Sequence, residues 1–241
     1  MAINAIILDT IAKITAHTGK PARILCLGYP DMLVTEAQLA SICGAEAAAG
    51  IAWREDSDSI LRWHNLQGMA RVAETRSVFA TLGLESDFVD IVASRGFEKV
   101  VDLNDPAPAE LLGQYDIVYD GGTMEHCFNV GTVMRNILGF TKVGGFIVHL
   151  NPINYYNHGF FNFNPTFYHD WYTQAGNTIA TQFFAMYGPV LDSKITPLHA
   201  TQRSRNVPPD SVMLVAARKD SDKIPPWPMQ AKYLRNSELK G

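Results

Sequence analysis

Short apolar runs alternate with amphipathic stretches along most of the chain. The apolar runs predict strands at 22–29, 86–92, 97–104, 115–122, 144–152, 178–188 and 211–219. Between them, apolar residues at helical spacing predict helices within 31–44, 68–83 and 127–140. Strands that alternate with helices favour an α/β fold with a mostly parallel, doubly wound sheet. The last two strands have no strong helix between them, which predicts an antiparallel hairpin at the sheet edge.

The two ends of the chain have different patterns. Isoleucines recur at helical spacing within residues 1–18, which predicts an N-terminal amphipathic helix docked on the domain. Residues 221–241 are proline-rich and then charged, so we expect a tail or surface arm. We therefore expect a single domain over 1–220, in which the segment 45–68 is a candidate lid insertion between two helices.

Composition narrows the class of protein. The chain has 241 residues, of which 47% are hydrophobic and 18% charged, with a net charge of −4. That balance is typical of a globular protein and disfavours nucleic-acid and membrane partners. No apolar stretch approaches the roughly 18 residues of a membrane span. Three cysteines without metal-ligand spacing favour a reducing, cytoplasmic compartment, and a homo-oligomer is left open.

Glycine and acidic residues lie at the ends of four predicted strands: Gly28, Asp90, Asp102 and Asp120. In sheets of this kind ligands bind outside the carboxyl ends of the strands. Glycine allows the backbone to approach a ligand closely, and carboxylates accept hydrogen bonds from ribose hydroxyls or an adenine amino group. Each of these residues alone is also an ordinary turn residue. Together they favour a ligand of nucleoside type.

Three motifs extend this interpretation. They are Asp-Leu-Asn-x-Pro at 102–106, Asp-Gly-Gly-Thr-x-Glu-His at 120–126 and Asn-His-Gly-Phe at 157–160. From about Ile24 to Tyr172, and most strongly over 100–172, the sequence resembles class I S-adenosylmethionine-dependent methyltransferases. More narrowly it resembles a bacterial methyltransferase-like family often associated with glycan and secondary-metabolite genes. The resemblance implies a Rossmann-like class I methyltransferase fold and S-adenosylmethionine as cofactor.

The resemblance also implies which residues bind the cofactor. They are Gly28, Asp90, Asp102, Asn104, Asp120 and Gly121. The first loop departs from the family pattern, because Cys26 stands in the acidic position and Pro30 in that of the second glycine. Proline lacks an N–H donor, so this loop cannot hold the cofactor in the usual way. We expect Asp31 to bind the cofactor's ammonium group in place of the missing acid.

Histidines are the candidate catalytic residues. Methyl transfer to a hydroxyl usually needs a general base, and histidine is suited to that role near neutral pH. His126 follows the fourth strand of the predicted parallel sheet, and His158 lies in the loop after the fifth. An alternative for His126 is packing at a helix start. Glu125 and His126 resemble the Glu-His pair of many small-molecule methyltransferases, which implies that Glu125 contacts the acceptor. We expect the same of Tyr155 and Asn157, because the aromatic-rich stretch 155–172 is typical of a pocket for a sugar or aromatic ring.

Two further expectations concern histidines. His149 lies inside a predicted strand, so we expect a core histidine whose hydrogen bonds are satisfied. Glu125, His126 and His158 do not have a ligand-spacing signature, and no metal is predicted.

The sequence therefore favours an S-adenosylmethionine-dependent methyltransferase, which we expect to be O-directed and to act on a small molecule or a sugar. The alternative is a methyltransferase-like protein that has lost catalysis and serves as a binding or scaffold subunit, as the altered first loop suggests. A nicotinamide-dependent oxidoreductase is disfavoured because no Gly-x-Gly-x-x-Gly follows the first strand.

Overall fold

The computed structural model describes residues 1–19, 21–223 and 226–234. Its strands are β1 (Ala2–Ile3), β2 (Ala22–Leu27), β3 (Asp31–Met32), β4 (Leu84–Asp90), β5 (Glu98–Val100), β6 (Tyr115–Asp120), β7 (Thr141–Pro152), β8 (Thr178–Ile179), β9 (Phe183–Tyr187), β10 (Lys194–Leu198) and β11 (Val212–Arg218). Its helices are α1 (Ala5–Thr18), α2 (Glu36–Cys43), α3 (Ala45–Ala49), α4 (Ser57–Trp63), α5 (Thr75–Thr81), α6 (Val130–Phe140), α7 (Pro165–Gln174) and α8 (Ala231–Leu234). Short 3-10 helices span Ala109–Leu111, Met124–His126 and Val190–Asp192.

The main sheet follows the order β10-β9-β11-β7-β6-β2-β4-β5, and β8 pairs with β11. Strands β5, β4, β2, β6 and β7 are parallel, whereas β11, β9 and β10 continue the sheet in antiparallel pairs. The predicted fold class, a mostly parallel doubly wound sheet with antiparallel strands at one edge, is confirmed. The chain moves outward from β2 to β5 and then returns to β6 on the other side of β2. This switch point opens a crevice at the carboxyl ends of β2 and β6.

Alternating residues of the central strands supply two hydrophobic cores. On β2, Ile24 and Cys26 join the core cluster that contains α1, whereas Leu25 and Leu27 join the cluster that contains α6. Successive side chains of a strand point to opposite faces, so a strand between two helical layers is apolar throughout. Both layers therefore hold the carboxyl end of β2 in a fixed position.

The helix predicted within 31–44 is present as α2. Thr35 caps it through a capping box with Gln38, and Gly44 ends it. The predicted helix at 68–83 is shorter in the structure and begins at Thr75. Its expected first turns are extended instead, because Ala73 forms antiparallel bridges with Met32 and Trp53.

The strand predicted at 178–188 is split into β8 and β9. Between them, the N–H groups of Ala180 and Thr181 both donate to the carbonyl oxygen of Ala216. The Thr181 hydroxyl accepts from the Ala216 N–H at 2.9 Å. These bonds replace the regular backbone hydrogen bonds to β11 at this point. The edge strand β10 was not predicted.

The 45–68 segment is not a long loop. It contains α3 and α4, and Ile60 and Leu61 of α4 pack against Leu33 and Val72. A lid role for the segment stays a prediction.

The predicted tail, 221–241, lies partly outside the described residues. Within the described part, Trp227 stacks near Trp171 with ring centroids 6.3 Å apart. The N–H of Ala231 donates to Asp170 at 2.8 Å, so this part of the arm packs on α7. Among the residues that the structure describes, no helix combines the length and apolar character that a membrane span requires.

The capping box gives a direct test of the α2 boundary. Thr35→Ala should lower the free energy of unfolding by about 1 kcal/mol, because the first-turn N–H of Gln38 loses its acceptor. Thr35→Ser keeps the hydroxyl and should have close to the wild-type value. Urea unfolding measures both variants, and equal stability of Thr35→Ala and Thr35→Ser would contradict the role of this cap.

Candidate active site

Two cavities lie at the carboxyl ends of the central strands. The first, here called the Asp90 cavity, has a volume of about 370 Å³ and is lined by Gly28, Asp90, Asp102 and Asn104 among others. The second, the Tyr155 cavity, has a volume of about 250 Å³. It is lined by Ala2, Asn4, Gly121, Glu125, Leu150, Tyr155, His158, Met186, Tyr187, Gly188, Val190, Ser193, Asp210 and Val212. Both cavities share Met1, Gly122 and His126, so they meet at the end of β6.

The Asp90 cavity has the features predicted for the nucleoside side. Gly28 follows β2 with a φ of 91°, a conformation that glycine adopts without strain. Asp90 ends β4, and one oxygen of its carboxylate accepts from the Ile91 N–H at 2.7 Å. Its other oxygen, Oδ2, has no hydrogen-bond partner among the described residues. A half-buried acceptor is therefore available to a ligand in this cavity.

Asp102 and Asn104 have partly structural roles. Asp102 Oδ1 accepts from the Asn104 N–H at 2.8 Å and from its side-chain amide at 2.9 Å. Asn104 Oδ1 in turn accepts from the Asn129 N–H at 2.8 Å. These bonds fix the loop after β5 against the start of α6. Asp102 is exposed at the cavity wall, whereas both polar atoms of the Asn104 side chain are already engaged.

The space beside Gly28 is filled by the Met1 side chain. A Cβ placed on Gly28 would overlap the Met1 methyl group and would lie 3.4 Å from Asp90 Oδ2. The backbone of Met1 is held by the Asp31 N–H, which donates to its carbonyl oxygen at 3.2 Å. The residues on the Asp90 side thus fit a nucleoside, and the flexible Met1 side chain has to turn aside before a larger ligand reaches Gly28.

Asp31 does not join this group. Its two carboxylate oxygens contact His64 Nε2 at 3.0 Å and an Arg95 nitrogen at 3.2 Å, and it lines neither cavity. Asp31 lies in the short strand β3, so this pairing binds the N-terminal region to the loop after β4. The expected contact with a cofactor ammonium group would require these partners to be replaced.

Asp120 is also placed differently from the prediction. Its carboxylate is fully buried and lines neither cavity. Oδ1 accepts from the N–H groups of Thr123 and Met124, both at 3.2 Å, while Oδ2 accepts from His149 at 2.9 Å and Asn151 at 3.0 Å. With four donors, Asp120 holds the site together from within. The neighbouring Gly121 does line the Tyr155 cavity, and a Cβ there would overlap the Tyr119 ring.

His149 is a buried core histidine whose two nitrogens are both engaged, as predicted. A carboxylate only accepts, so Nδ1 donates to Asp120, and Nε2 lies 2.6 Å from the Tyr172 hydroxyl. His149 thus connects β6 and β7 to α7. It does not reach either cavity.

Glu125 lies one turn beyond Asp120, with its side chain buried. Burial, and then repulsion from the Asp120 carboxylate, raises the pKa of Glu125 to about 7, although a hydrogen bond from Asn151 opposes this shift. Asn151 donates to Glu125 Oε2 at 3.0 Å, and its own oxygen accepts from the Tyr168 hydroxyl at 2.6 Å. Glu125 can therefore hold or release a proton near neutral pH.

The two candidate histidines come together at the junction of the cavities. Their ring centroids lie 5.1 Å apart, and the Tyr155 ring lies 5.5 Å from that of His158. Burial, followed by the charge of His158, lowers the pKa of His126. Asn157 is exposed with a φ of 58° and lines neither cavity. Its role is to turn the chain that carries His158.

Several site residues were not predicted. Met1 and Thr123 line the Asp90 cavity, and Asn151 connects Asp120 to Glu125. One sequence signal could have found Asn151: it lies two residues after His149 on the same strand, so both side chains share a face. The position of Met1 depends on tertiary packing and has no such signal.

No protein-family model matches the sequence, and no curated protein matches it. Among solved structures, the chain is similar to the CMeT domain of the citrinin polyketide synthase (15% identity, TM-score 0.47, 89% of this chain and 51% of that chain). It is also similar to the trans-methyltransferase CalH in complex with SAH (16%, 0.43, 89% and 55%). A third is 1,6-didemethyltoxoflavin-N1-methyltransferase from Burkholderia thailandensis, with bound 1,6-didemethyltoxoflavin and S-adenosylhomocysteine (14%, 0.36, 89% and 77%). The chain spans about half the length of the first two. Similarity at this level does not transfer an activity, substrate or cofactor.

The buried hydrogen bonds around Asp120 can be tested with an isosteric pair of variants. Tyr172→Phe should lower the free energy of unfolding by about 1–3 kcal/mol, because His149 Nε2 is left buried without its partner. Tyr156→Phe removes the same hydroxyl from a side chain that is 90% exposed and should change little. Thermal or urea unfolding compares the two, and an unchanged Tyr172→Phe would remove that hydroxyl from the network.

Proposed function

We propose that the chain is an S-adenosylmethionine-dependent methyltransferase that acts on a hydroxyl of a small molecule or a sugar. The observation that carries the proposal is the pair of adjoining cavities at the switch point of the sheet. One contains the available Asp90 carboxylate beside Gly28, and the other contains Glu125 and His158. His126 lies at their junction. The sequence motifs that resemble methyltransferases contribute to both walls, with Asp102, Leu103 and Asn104 in the first cavity and Gly121, Glu125 and His158 in the second.

Within this proposal the Asp90 cavity holds the cofactor. Asp90 Oδ2 would accept from ribose hydroxyls, and Ile91, Val101 and Leu103 offer apolar surface to a base. Asp102 lies at the edge of the same surface. Bound S-adenosylmethionine supplies an electrophilic methyl group, and the Met1 side chain turns away from Gly28 to admit it.

The Tyr155 cavity would hold the acceptor. Its wall carries polar groups of Asn4, Ser193 and Asp210, which suit a hydroxylated molecule. His158 Nε2 lies 3.5 Å from Glu125 Oε1, so the histidine can accept a proton from an acceptor hydroxyl beside a carboxylate that stabilises its charge. Tyr155 would pack against a ring of the acceptor.

The second candidate is a binding or scaffold protein without catalysis. The observations that favour it are the Met1 side chain beside Gly28 and the presence of Cys26 and Pro30 in the first loop. Cys26 is fully buried, so that position presents no polar group to the cavity. If Met1 stays in place, its side chain occupies the space beside Gly28 that a whole cofactor would need. Cofactor affinity therefore separates the two candidates.

Calorimetric titration with S-adenosylhomocysteine tests the cofactor site. Wild type should bind, and Asp90→Ala should lose about 1.5–3 kcal/mol, or about 10–150-fold in Kd, because a charged acceptor is removed. Asp58→Ala removes an exposed acid of α4 and should bind as wild type does. No binding by folded wild-type protein would favour the scaffold candidate. Equal affinity of wild type and Asp90→Ala would remove Asp90 from the site.

A pair of glycine variants tests the close approach at Gly28. Gly28 and Gly144 have φ values of 91° and 86°, so alanine strains both backbones alike. A Cβ at Gly144 meets nothing within 4 Å, whereas one at Gly28 intrudes on Met1 and the Asp90 cavity. Gly28→Ala should therefore lose more than about tenfold in affinity for S-adenosylhomocysteine, which is about 1.4 kcal/mol, while Gly144→Ala retains it. Equal losses in both variants would mean that backbone strain, and not the cavity, is responsible.

A further inference from the structure

The junction of the two cavities contains a compact group of metal-binding side chains. One ligand atom from each of Glu125, His126 and His158 can be chosen so that all three lie within 4.8 Å of one another. Glu125 Oε1 is the common point, 3.5 Å from His158 Nε2 and 4.0 Å from His126 Nε2. The sequence spacing predicted no metal, because His158 follows the other two residues only after helix α6, strand β7 and a loop. The fold brings the three together.

Backbone contacts hold the three residues in this arrangement. The N–H of Phe160 donates to the carbonyl oxygen of Glu125 at 2.8 Å, which joins the loop of His158 to the 3-10 helix of Glu125 and His126. Gly159 lies directly on Glu125, since a Cβ there would be 2.8 Å from the same carbonyl oxygen. The close approach therefore depends on a glycine next to His158. These contacts preorganise the group in the absence of any ion.

The Glu125 carboxylate is oriented by one partner and open on the other side. Asn151 donates to Oε2 from within the core, which leaves Oε1 facing both histidines. Gly122 adjoins this oxygen without a side chain, and a Cβ there would be 3.2 Å away. Metal-binding carboxylates are typically held by such outer hydrogen bonds, which fix the direction of the ligand oxygen.

We propose that Glu125, His126 and His158 form a binding site for a divalent transition-metal ion of the Zn²⁺ type. Two imidazoles and one carboxylate are ligands that suit such ions, and three protein ligands leave positions open for water or substrate. At bond lengths of about 2.0–2.2 Å, tetrahedral ligand atoms lie about 3.3–3.6 Å apart. The separation from His158 already has this value, and His126, whose side chain is 48% exposed, has room to move inward.

The open positions face the Tyr155 cavity, which His158 and Glu125 line. With His158 Nε2 bound to the ion, the ion would take over the role proposed for the histidine: it would bind a hydroxyl oxygen at the junction with the Asp90 cavity and promote loss of its proton. This role toward an acceptor rests on the proposed function. Binding of the ion itself does not rest on that function, because Glu125, His126 and His158 are in place, and Asn151 orients Glu125, without any contribution from a cofactor.

Metal titration of chelator-treated protein tests the site. Zn²⁺ is followed by calorimetry and Co²⁺ by its visible absorption, which reports the ligand geometry. We expect about one ion per chain, with affinity lowered by at least about tenfold in His158→Ala and in the isosteric Glu125→Gln, since loss of even an outer partner typically costs about 10–100-fold. His199→Ala, which removes an exposed histidine that lines neither cavity, should bind as wild type does.

Two results would overturn the proposal: no stoichiometric ion in folded wild type, or undiminished binding in both ligand variants. If His158→Ala does not fold, His158→Gln and Glu125→Gln give the same comparison. The titrations contain no S-adenosylhomocysteine, and the cofactor titration contains no added metal. Metal binding without cofactor binding would support the metal site and refute the proposed methyltransferase. Cofactor binding without metal binding would support the methyltransferase and refute the metal site.

Discussion

The buried carboxylate of Asp120 is the constraint on which the rest of the site depends. Such a group is stable away from water only when its oxygens are hydrogen-bonded, and here two backbone N–H groups and two side chains of β7 serve this purpose. The backbone donors fix the 3-10 turn that carries Glu125 and His126. The side-chain donors, His149 and Asn151, extend the same network to two tyrosines of α7. One buried charge thus positions a turn, a strand and a helix relative to one another.

The same network explains why two nearby acids behave differently. Both oxygens of Asp120 accept hydrogen bonds, whereas Glu125 accepts one from Asn151 through Oε2, and its Oε1 faces the cavity. Burial, and then repulsion from the Asp120 carboxylate, raises the pKa of Glu125 to about 7. The acid that can exchange a proton near neutral pH is therefore Glu125, which lies beside His126 and His158. Asp120 remains a structural residue although it lies only five positions earlier in the chain.

Much of the fold, and part of the site, could be predicted from sequence. The apolar runs predicted the strands, and as a rule the carboxyl ends of parallel strands meet at one edge of a sheet, so the sequence predicted that Gly28 and Asp90 lie near each other, as they do in the Asp90 cavity. The rule does not tell which strand-end acid is buried, and so Asp120 was taken for a ligand contact. For a related reason the sequence did not reveal that Asp31 pairs with His64 and Arg95, since both come from distant segments. The approach of His158 to Glu125 depends on the packing of Gly159, which no spacing pattern reveals.

The two cavities draw their walls from different parts of the chain. Apart from Met1, the Asp90 cavity is built by residues between Gly28 and Cys127, whereas most of the Tyr155 cavity is built by residues from Leu150 onward. Substitutions at positions that line only the Tyr155 cavity, such as Met186, Val190 and Val212, can therefore reshape it while the Asp90 cavity keeps its walls. The lining of one cavity can thus vary independently of the other, provided that Gly122 and His126, which border both, are kept.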